Sequence, residues 1–502
     1  MEGKENRNLF ISTAIDYVNA SPHLGHALEK IQADAIARYY RLEGRDVFFL
    51  TGSDENSLKN VRAAEKEGVS VQELVDVNAA KFQELKGILN LSFDDFIRTT
   101  QERHIKGVEK LWQKCFENGD LYLGEYEGLY CVGCEAYYTP EELENGCCPE
   151  HHIPPEQIKE KNWFFKLSRY QESIKEAIKG GKLEIIPESR QNEILSFLQK
   201  DLKDICVSRS NERAKNWGIS VPNDNTQKIW CWFDALGNYI TALGYGSNGE
   251  KFKEYWQNGE VMHVIGKGIS RFHAVYWAGI LLSAGVKLPD KIFVHGYITV
   301  NGQKMSKSLG NVVDPFELVE KYSQKVGEEA AVDAMRYFLL REISSTEDGD
   351  FTYDKFEARY NSDLAKGLGN LTSRIISLAL RTGEQEPISR LGHKGQGFLD
   401  DIKKQYKEKM DNLEFSGALE SIWRLIKYCD QYIDRKKPWE RESTDHVISN
   451  LLILLKEIAV LLVPFLPKTS KKILKQLGLT DFDKEVSQCV VEKGEPLFPR
   501  LQ

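Results

Sequence analysis

Two short groups of histidines and lysines are the residues of this 502-residue chain that are best suited to chemistry. The first is His23-Leu24-Gly25-His26, and the second is Lys304-Met305-Ser306-Lys307-Ser308. Imidazoles and ammonium groups both bind phosphate oxygens. Lysines in a movable loop can also follow the negative charge of a phosphate chain as it shifts during transfer. The ordered pair therefore predicts a split site for the triphosphate of ATP.

The residues around the first group predict that it lies where a strand passes into a helix. Residues 8–14 are apolar and partly β-branched, which is typical of a buried strand, and Ser21-Pro22 is a helix-start signal. Residues 46–50 form the next strand, so a parallel strand–helix–strand unit is expected. The apolar residues that recur at helical spacing between the strands are Leu24, Leu28, Ile31, Ala35 and Tyr39.

The start of this helix is predicted to bind phosphate. His23 and His26 are three residues apart, so they share one face. The first turn of a helix has unpaired backbone N–H groups and the positive end of the helix dipole, and both attract phosphate. Gly25 has no side chain, which leaves room for an adenine or a ribose. For this tetrad alone, a pair of surface histidines that cap a helix is the alternative.

The second group follows a predicted strand, residues 290–300, and an Asn301-Gly302 turn. Lys304 and Lys307 are three apart in a loop that is flanked by glycines, so the loop can move. A solvated basic loop is the usual interpretation of such a stretch. It is disfavoured here because residues 261–300 form a second strand–helix–strand unit of the same kind as the first.

The ordered pair resembles that of the class I aminoacyl-tRNA synthetases, and the segments between the two groups resemble those of the methionyl-tRNA synthetases. The similarity extends from Asn8 to the helices near Leu479. It implies an enzyme that converts L-methionine and Mg-ATP into methionyl-adenylate and pyrophosphate. Methionine would then pass to the 3′-terminal adenosine of tRNA(Met), for initiation and elongation of protein synthesis. The segments that carry the resemblance are Tyr17-Val18-Asn19, Thr51-Gly52-Ser53-Asp54-Glu55-Asn56, Trp232-Phe233-Asp234-Ala235 and Arg271-Phe272-His273.

The resemblance also implies the fold class and the domain boundaries. The expected fold is α/β, with a Rossmann-type parallel-sheet catalytic domain that is split by a zinc-knuckle insertion. An α-helical bundle that binds the anticodon would follow. The expected domains are the first catalytic half 1–115, the insertion 116–225, the second catalytic half 226–300, a linker domain with the basic loop 301–355, and the helical domain 356–502.

The resemblance assigns roles to single residues. Aromatic rings suit a polarizable thioether, Tyr17 and His273 could donate hydrogen bonds to sulfur, and Asp54 would hold the α-ammonium group. For any one of the aromatic residues, ordinary core packing is the alternative. The implied ATP-binding residues are His23, Gly25, His26, Lys304 and Lys307, of which the histidines and lysines would be catalytic. The implied methionine-binding residues are Ile15, Tyr17, Asp54, Trp232, Ala235, Leu236, Tyr239 and His273.

Cysteine spacing predicts a metal site. Four of the nine cysteines lie in Cys131-Val132-Gly133-Cys134 and Cys147-Cys148-Pro149-Glu150-His151-His152. A C-x2-C pair and a C-x2-H pair joined by a short loop have the spacing of a tetrahedral zinc knuckle. Buried thiols without metal, or a disulfide in a secreted protein, are the alternatives. The predicted ligands of one structural Zn2+ are Cys131, Cys134, Cys148 and His151, and Cys147 or His152 could replace its neighbour.

The C-terminal third is predicted to be helical from about Phe356. Asn370 and Arg374 are four apart and share a helix face, and Trp439 follows Lys436-Lys437-Pro438. The resemblance implies that these three residues read the anticodon CAU, with the indole stacked on a base and the other two side chains at its edge. A solvated helix pair with a tryptophan packed at a corner is the alternative.

Composition is compatible with this interpretation. The net charge of −8 argues against a surface that is basic throughout, but it permits a local basic face. Charged residues lead directly into the first strand, so no signal peptide is expected. The most apolar run, residues 451–467, is interrupted by Lys456-Glu457 and Pro464, which favours a buried helix over a membrane span. A cytoplasmic protein with no membrane partner is therefore expected. A monomer is also expected, since the chain ends soon after its last helix.

Three other functions share part of the pattern. Leucyl, valyl and isoleucyl enzymes need a large editing insertion, for which residues 116–226 leave little room, and a cysteinyl enzyme would need open zinc in its main pocket. A small nucleotidyltransferase would lack the helical domain, and an inactive RNA-binding paralogue would not keep both signatures. The chain departs from its relatives at Gly268, often an Asp, at Asn56-Ser57, and at Leu236. The departure at Gly268 puts a carboxylate contact to the adenylate in doubt.

Overall fold

The computed structural model describes residues 8–133, 136–149, 152–305, 310–382, 391–440, 445–482 and 490–501. The chain forms two compact units. The first runs to Pro22 and continues over Glu43–Lys86 and Ser92–His295, and the second contains His23–Leu42, Gly87–Leu91 and the chain from Gly296 onward. Within the described ranges, no helix is both long and apolar enough to cross a membrane.

The elements up to residue 229 fall into two parts. In the first part strands and helices alternate, and in the second part most of the elements are strands. Those of the first part are β1 (Asn8–Thr13), β2 (Asp16–Tyr17), α1 (Leu24–Leu42), β3 (Asp46–Asp54), α2 (Leu58–Glu67), α3 (Val71–Ile88), β4 (Asp95–Arg98) and α4 (Glu102–Glu117). Those of the second part are β5 (Leu121–Cys131), β6 (Ala136–Tyr138), β7 (Glu156–Phe165), α5 (Gln171–Lys179), β8 (Glu184–Ile186), α6 (Glu188–Phe197), β9 (Ile205–Cys206), β10 (Ser208–Ser210), β11 (Ser220–Val221) and β12 (Asp224–Ile229).

The remaining elements end in a run of helices. They begin with α7 (Cys231–Thr241), β13 (Glu260–Gly266), α8 (Ala278–Ser283), β14 (Lys291–His295), β15 (Ile298–Val300), β16 (Gln303–Lys304), α9 (Pro315–Val326), α10 (Glu328–Arg341) and β17 (Gly349–Phe351). They finish with α11 (Tyr353–Arg359), α12 (Asn370–Thr382), α13 (His393–Asp411), α14 (Phe415–Lys436), α15 (Asp445–Leu462) and α16 (Pro467–Gln476). A π-helical turn, Phe272–Trp277, leads into α8.

A parallel seven-stranded sheet forms the core of the first unit. Its order is β2-β3-β1-β13-β14-β8, and β4 also pairs with β3. Every pair in this sheet is parallel, and the central strand β1 is flanked by β3 and β13. The predicted α/β fold with a parallel sheet is therefore confirmed.

The carboxyl ends of β1, β3 and β13 meet at one edge of this sheet. In open parallel sheets, ligands bind in the crevice outside these ends. Asp54 ends β3, and Tyr17 in β2 is its register partner. The sheet thus brings residues from distant parts of the chain to one edge.

Two antiparallel sheets are inserted between β4 and β13. One has the order β6-β5-β7-β9, and the long hairpin of β5 and β7 is its main part; the other has the order β10-β12-β11. Tyr130, Val132 and Ile158 form a small buried cluster beside this hairpin. The cysteine-rich segment lies next to the cluster in sequence, at the end of β5.

The second unit contains α1 and the C-terminal helices. The predicted apolar stripe of α1 is confirmed, because Leu24, Leu28, Ile31, Ala35 and Tyr39 are all buried. β17 is the last strand among the described residues, so the expected helical C-terminal region is also confirmed. A short sheet of order β16-β15-β17 precedes these helices.

The single strand predicted over residues 290–300 is wrong. The chain forms β14 in the parallel sheet and then β15 in the short sheet, and Gly296 separates them. A Cβ on Gly296 would stand 2.2 Å from the carbonyl carbon of Glu347. The strand breaks here because another backbone segment passes directly against it, which an apolar pattern in sequence does not reveal.

A buried ion pair joins α1 to α10. Arg336 Nη2 lies 2.7 Å from Asp34 Oδ2, and both side chains are fully buried. The same guanidinium donates to the carbonyl oxygens of Leu89, Pro464 and Phe465. The charge is therefore compensated, and one side chain ties α1 to the end of α15.

Candidate active site

The two histidines of the first signature are stacked at the start of α1. Their ring centroids are 3.8 Å apart at an interplanar angle of 21°. The backbone N–H of His23 donates to His26 Nδ1 at 3.0 Å, and that of Gly25 donates to His23 Nδ1 at 3.1 Å. Since each Nδ1 accepts a hydrogen bond, the proton of each neutral ring is on Nε2. Nε2 is therefore the donating nitrogen of each ring.

Burial keeps His26 neutral. Burial, with a smaller effect from the nearby charge of Lys30, lowers the pKa of His26 from 6.5 to about 3. The ring is therefore a neutral N–H donor in this structure. The positive charge needed for a triphosphate must come from elsewhere, and the lysines of the second signature are suited to this role.

The expectation that open backbone N–H groups at the start of α1 bind phosphate is wrong. Leu24 N donates to Val313 O at 2.9 Å, and His26 N donates to His23 O at 3.0 Å. The N–H groups of His23 and Gly25 are used by the imidazoles, as described above. The histidine side chains themselves cap this helix.

Both flanks of the second signature contact the first. Met305 Cε lies 3.7 Å from the point that a Cβ on Gly25 would occupy. Beyond the loop, Val313 O accepts the hydrogen bond from Leu24 N. Lys304 lies at the end of β16, with its Nζ 5.6 Å from the ring centroid of Tyr297. Lys307 lies outside the described residues. Met305, which precedes it in the chain, and Val313, which follows it, both lie against the start of α1.

A buried aromatic cluster lies in the first unit, where α7 faces β13 and the π-helical turn. Trp232 stacks on Phe272, with centroids 3.7 Å apart at 6°. Tyr239 is buried between two histidines, with its ring 4.1 Å from that of His263 and its hydroxyl 2.6 Å from His273 Nε2. Ala235 and Leu236, on the same helix as Trp232 and Tyr239, are also buried.

Hydrogen bonding fixes the tautomer of His273. Its Nδ1 lies 3.0 Å from the carbonyl oxygen of Ile269, which can only accept, so Nδ1 carries the proton. In the neutral ring Nε2 then accepts from the Tyr239 hydroxyl. Both ring nitrogens are engaged, so the expectation that His273 donates to sulfur does not agree with this arrangement. His273 instead orients Tyr239.

The end of β3 is held by a buried carboxylate next to Asp54. Glu55 is fully buried and receives hydrogen bonds from Arg98 Nε at 2.6 Å, Arg98 Nη2 at 3.0 Å and Ser53 Oγ at 2.6 Å. The Asp54 carbonyl accepts from Asn60 Nδ2 at 3.0 Å. These bonds fix the backbone that presents the Asp54 carboxylate at the carboxyl edge of the sheet.

A second buried network joins this loop to α7. His104 Nε2 lies 2.6 Å from Asp234 Oδ1, both side chains are fully buried, and Asn56 Nδ2 donates to Asp234 Oδ2 at 2.7 Å. Asp234 lies in the first turn of α7, between Trp232 and Ala235. The loop after β3 and helix α4 are therefore both bonded to α7, the helix that carries Trp232 and Tyr239.

The cysteine-rich segment is described only in part. Cys131 and Cys148 are buried, Cys147 is partly exposed and His152 is exposed. Cys148 Sγ lies 3.3 Å from the Tyr138 hydroxyl. The other two predicted ligands, Cys134 and His151, lie outside the described residues. Among those that are described, no group of three or more His, Cys, Asp or Glu side chains could hold a metal.

The residues expected to read an anticodon lie in the helical region. Trp439 follows α14, and 54% of its surface is exposed. Asn370 is exposed at the start of α12. Arg374 is bonded to two carboxylates of α14, Asp430 at 2.7 Å and Asp434 at 2.8 Å. An exposed indole is what a stacking contact with a base requires.

Comparison with known families decides the class of this chain. The model for class I tRNA synthetases of the methionine type matches residues 9–157 and 139–376, and the model for the anticodon-binding domain of tRNA ligases matches residues 397–493. The chain belongs to the class I methionyl-tRNA synthetases. It is accordingly a methionine–tRNA ligase.

Individual methionyl-tRNA synthetases are similar over nearly the whole chain. The methionine–tRNA ligase of Caldanaerobacter subterraneus is 40% identical over 99% of this chain and 79% of its own length. That of Bacillus subtilis is 39% identical with the same coverage. A structure of Mycobacterium tuberculosis methionyl-tRNA synthetase in complex with methionyl-adenylate has a TM-score of 0.91 at 35% identity, covering 98% of this chain and 99% of that one. The free-state structure of the same enzyme has a TM-score of 0.84.

Sequence reasoning missed the groups that support the site. Glu55, Arg98, His104 and Asp234 are polar residues that the sequence gives no reason to pair, because their partners are far apart in the chain. His263 was also missed, although it lies in the apolar strand β13, where a lone histidine is unusual. Its Nδ1 lies 2.7 Å from Ser12 Oγ, and its ring packs against Tyr239.

Proposed function

We propose that the chain first forms methionyl-adenylate and pyrophosphate from methionine and Mg-ATP, and then transfers methionine to the 3′-terminal adenosine of tRNA(Met). One observation carries the adenylation step: both flanks of the basic loop contact the start of α1, at Met305 and at Val313. This contact supports a single phosphate site made from two signatures that are far apart in sequence.

In the first step, an oxygen of the methionine carboxylate attacks the α-phosphorus of ATP, and the bond to pyrophosphate breaks. The Nε2–H groups of His23 and His26 donate to phosphate oxygens. Lys304 and Lys307 neutralise the charge that develops on pyrophosphate, and Gly25 lets the His23 ring lie against the helix. No protein nucleophile is needed, since positioning and charge neutralisation lower the barrier.

Methionine binds at the aromatic cluster of the first unit, which forms the methionine pocket of this proposal. The Asp54 carboxylate holds the α-ammonium group by a charge-assisted hydrogen bond, next to Tyr17 and Ile15. Trp232, Tyr239 and His273 surround the side chain, and sulfur contacts aromatic rings favourably. Ala235 and Leu236 complete the apolar wall. The stacked ring of Phe272 and the bond between Tyr239 and His273 support a pocket of fixed shape.

A structural Zn2+ held by Cys131, Cys134, Cys148 and His151 is part of the proposal. The buried thiols of Cys131 and Cys148 fit such a site, and the exposure of His152 favours His151 as the fourth ligand. The metal would join the end of β5 to the segment that precedes β7. Zinc analysis of the purified protein by mass spectrometry, with C148S as the comparison, tests this, and a metal-free wild type with an unchanged unfolding midpoint would contradict it.

tRNA would be read at the helical region by Asn370, Arg374 and Trp439. The exposure of Trp439 supports base stacking, and the bonds of Arg374 to Asp430 and Asp434 hold its guanidinium at the surface. We also propose a division into five domains, with boundaries after residues 115, 225, 300 and 355, and a zinc-knuckle insertion. A cytoplasmic location and a monomeric state are part of the same proposal.

Amino-acid-dependent pyrophosphate exchange tests the proposal. Methionine should support exchange, and leucine, isoleucine, valine and cysteine should not. K307A should lower the adenylation rate far more than it weakens ATP binding, because the ammonium acts on charge that develops in the transition state. K325A, at an exposed lysine of α9, is the matched control. Exchange at the wild-type rate in K307A would refute the phosphate site.

A further inference from the structure

Three aromatic rings form a partly exposed ladder on the C-terminal helices. Phe398 of α13 stacks on Tyr428 of α14, with centroids 4.4 Å apart at 23°, and Tyr428 stacks on Tyr432 at 6.2 Å and 14°. We call Phe398, Tyr428 and Tyr432 the aromatic ladder. The neighbouring residues Cys429 and Ile433 are buried in the bundle, whereas the ladder lies at its surface. Each ring of the ladder is partly exposed, and the part of its face that its neighbour does not cover is a π surface on which a further ring can stack.

Cations flank the two tyrosines of the aromatic ladder along α14. Arg424, Tyr428, Tyr432 and Lys436 are spaced four residues apart on α14, so they form one stripe. Lys436 Nζ lies 6.0 Å from the ring centroid of Tyr432. At the other end, Arg424 bonds to Gln405 of α13. A stripe of rings bounded by cations matches a strand of stacked bases with phosphates on either side.

The stretch of α14 that carries the two tyrosines is basic, although the chain as a whole is acidic. Two carboxylates, Asp430 and Asp434, lie within residues 424–437, and both are bonded to Arg374. The chain carries a net charge of −8, so this basic stretch is a local exception. The lysines and arginines of the stretch are Arg424, Lys427, Arg435, Lys436 and Lys437.

The tyrosines of the ladder and the carboxylates that hold Arg374 lie on the same helix, α14. One face of α14 carries Asp430 and Asp434, and another carries the two tyrosines. Three exposed residues lie between these faces by helical spacing: Lys427, Gln431 and Arg435. The helix with its side chains is about 10 Å across, so the path over its surface between the two faces is roughly 15 Å, which a loop of RNA can span. The match to the anticodon-binding domain, residues 397–493, includes the whole ladder.

We propose that the aromatic ladder, with Arg424 and Lys436, binds unpaired nucleotides of the tRNA loop beside the anticodon. Bases stack on the exposed ring faces, and the two cations bind the adjoining phosphates. Unpaired RNA is recognised in this way because every base has a π face, so the contact adds affinity with little dependence on sequence. The inference rests on the proposed function, since it extends the same RNA surface.

Equilibrium binding of a tRNA(Met) transcript, measured by filter retention, tests the ladder. Y428L and Y432L should each raise Kd about 10-fold, as expected for the loss of one stacked base. Y428F and Y432F keep the rings and should bind within twofold of wild type. K436Q should reduce the slope of log Kd against log salt concentration by about one. The unfolding midpoint of each variant is measured alongside.

Lys321 and Tyr353 provide a matched control pair. Lys321 Nζ lies 3.9 Å from the ring centroid of Tyr353, which is 42% exposed in the same unit but away from α14. Y353L and K321Q should leave the Kd and the salt slope unchanged. Wild-type Kd values in both leucine variants, or an equal loss in Y353L, would overturn the ladder. If wild type itself fails to retain tRNA, the proposed function falls with it.

Discussion

Gly25 lies directly beneath the imidazole of His23. A Cβ on Gly25 would stand 2.9 Å from His23 Cε1 and 3.0 Å from His23 Nδ1, closer than side-chain carbons approach ring atoms. The ring can fold back onto its own helix only because residue 25 has no side chain. This position makes the hydrogen bond from Gly25 N to His23 Nδ1 possible, and that bond puts the ring proton on Nε2.

G25A should therefore disable the enzyme with little effect on its stability. The added methyl group pushes the His23 ring away, and a displacement of about 1 Å at a reacting centre can cost about 100-fold in rate. Methionine-dependent pyrophosphate exchange should fall by about that factor. G87A is the control, because nothing lies within 4 Å of a Cβ at Gly87 in α3. Exchange in G25A within twofold of wild type would contradict the packing argument.

The tautomer of His26 leads to a second prediction. A glutamine amide can place an N–H near the position of Nε2, whereas the shorter asparagine amide reaches only the position of Nδ1. If the Nε2–H group binds phosphate, H26Q should retain clearly more exchange activity than H26N. Steady-state pyrophosphate exchange at saturating ATP makes the comparison. The reverse order of activities would show that Nδ1 is the functional atom.

The lowered pKa of His26 predicts a pH dependence of stability. In the folded chain the pKa is about 3, below the unfolded value of 6.5. The unfolded chain therefore takes up the proton first as the pH falls. The stability associated with neutral His26 is complete above pH 6.5 and is lost progressively toward pH 3. Urea unfolding of wild type and H26Q at several pH values should show a shallower acid loss in the variant.

Tyr239 and His273 allow a test of methionine recognition. Y239F keeps the aromatic ring but removes the hydroxyl that donates to His273 Nε2 at 2.6 Å. A neutral hydrogen bond contributes about 0.5–1.5 kcal/mol, so KM for methionine should rise about 2- to 12-fold. Y255F is the control, since the Tyr255 hydroxyl bonds to Asp46 outside the pocket. An unchanged KM in Y239F, or an equal rise in Y255F, would argue against a role of this pair in binding methionine.

The elements around the first signature could be predicted from sequence because their information is local. The stripe from Leu24 to Tyr39 requires a helix, and the apolar run before it requires a strand. The same local rules failed at residues 290–300. Nothing in an apolar run indicates that the backbone of Glu347 passes against Gly296 and ends the strand.

The chemistry of the site was only partly accessible from sequence. The residue types predicted a phosphate site, but the use of the first-turn N–H groups by the imidazoles depends on rotamers that a sequence does not specify. The same is true of His273, whose donor group is directed to the carbonyl of Ile269. Long-range pairs such as Asp234 with His104 need the folded chain to bring them together.

Arg336 should be among the side chains on which the second unit depends most. Its guanidinium forms an ion pair with Asp34 and donates to three carbonyl groups, all in a buried environment. R336M leaves the Asp34 carboxylate without this partner and the three carbonyl groups without their donor. Breaking a buried pair in this way costs about 3–5 kcal/mol of unfolding free energy. Urea denaturation monitored by circular dichroism measures this loss.

R359M separates this effect from the general loss of an arginine. Arg359 also contacts two carboxylates, Glu342 and Asp363, but its side chain is 35% exposed. Ion pairs that water can reach contribute about 0–1 kcal/mol, because solvent screens the charges and replaces the lost bonds. R359M should thus lose far less stability than R336M. Equal losses of unfolding free energy in the two variants would mean that burial does not determine how much the Asp34–Arg336 pair contributes to stability.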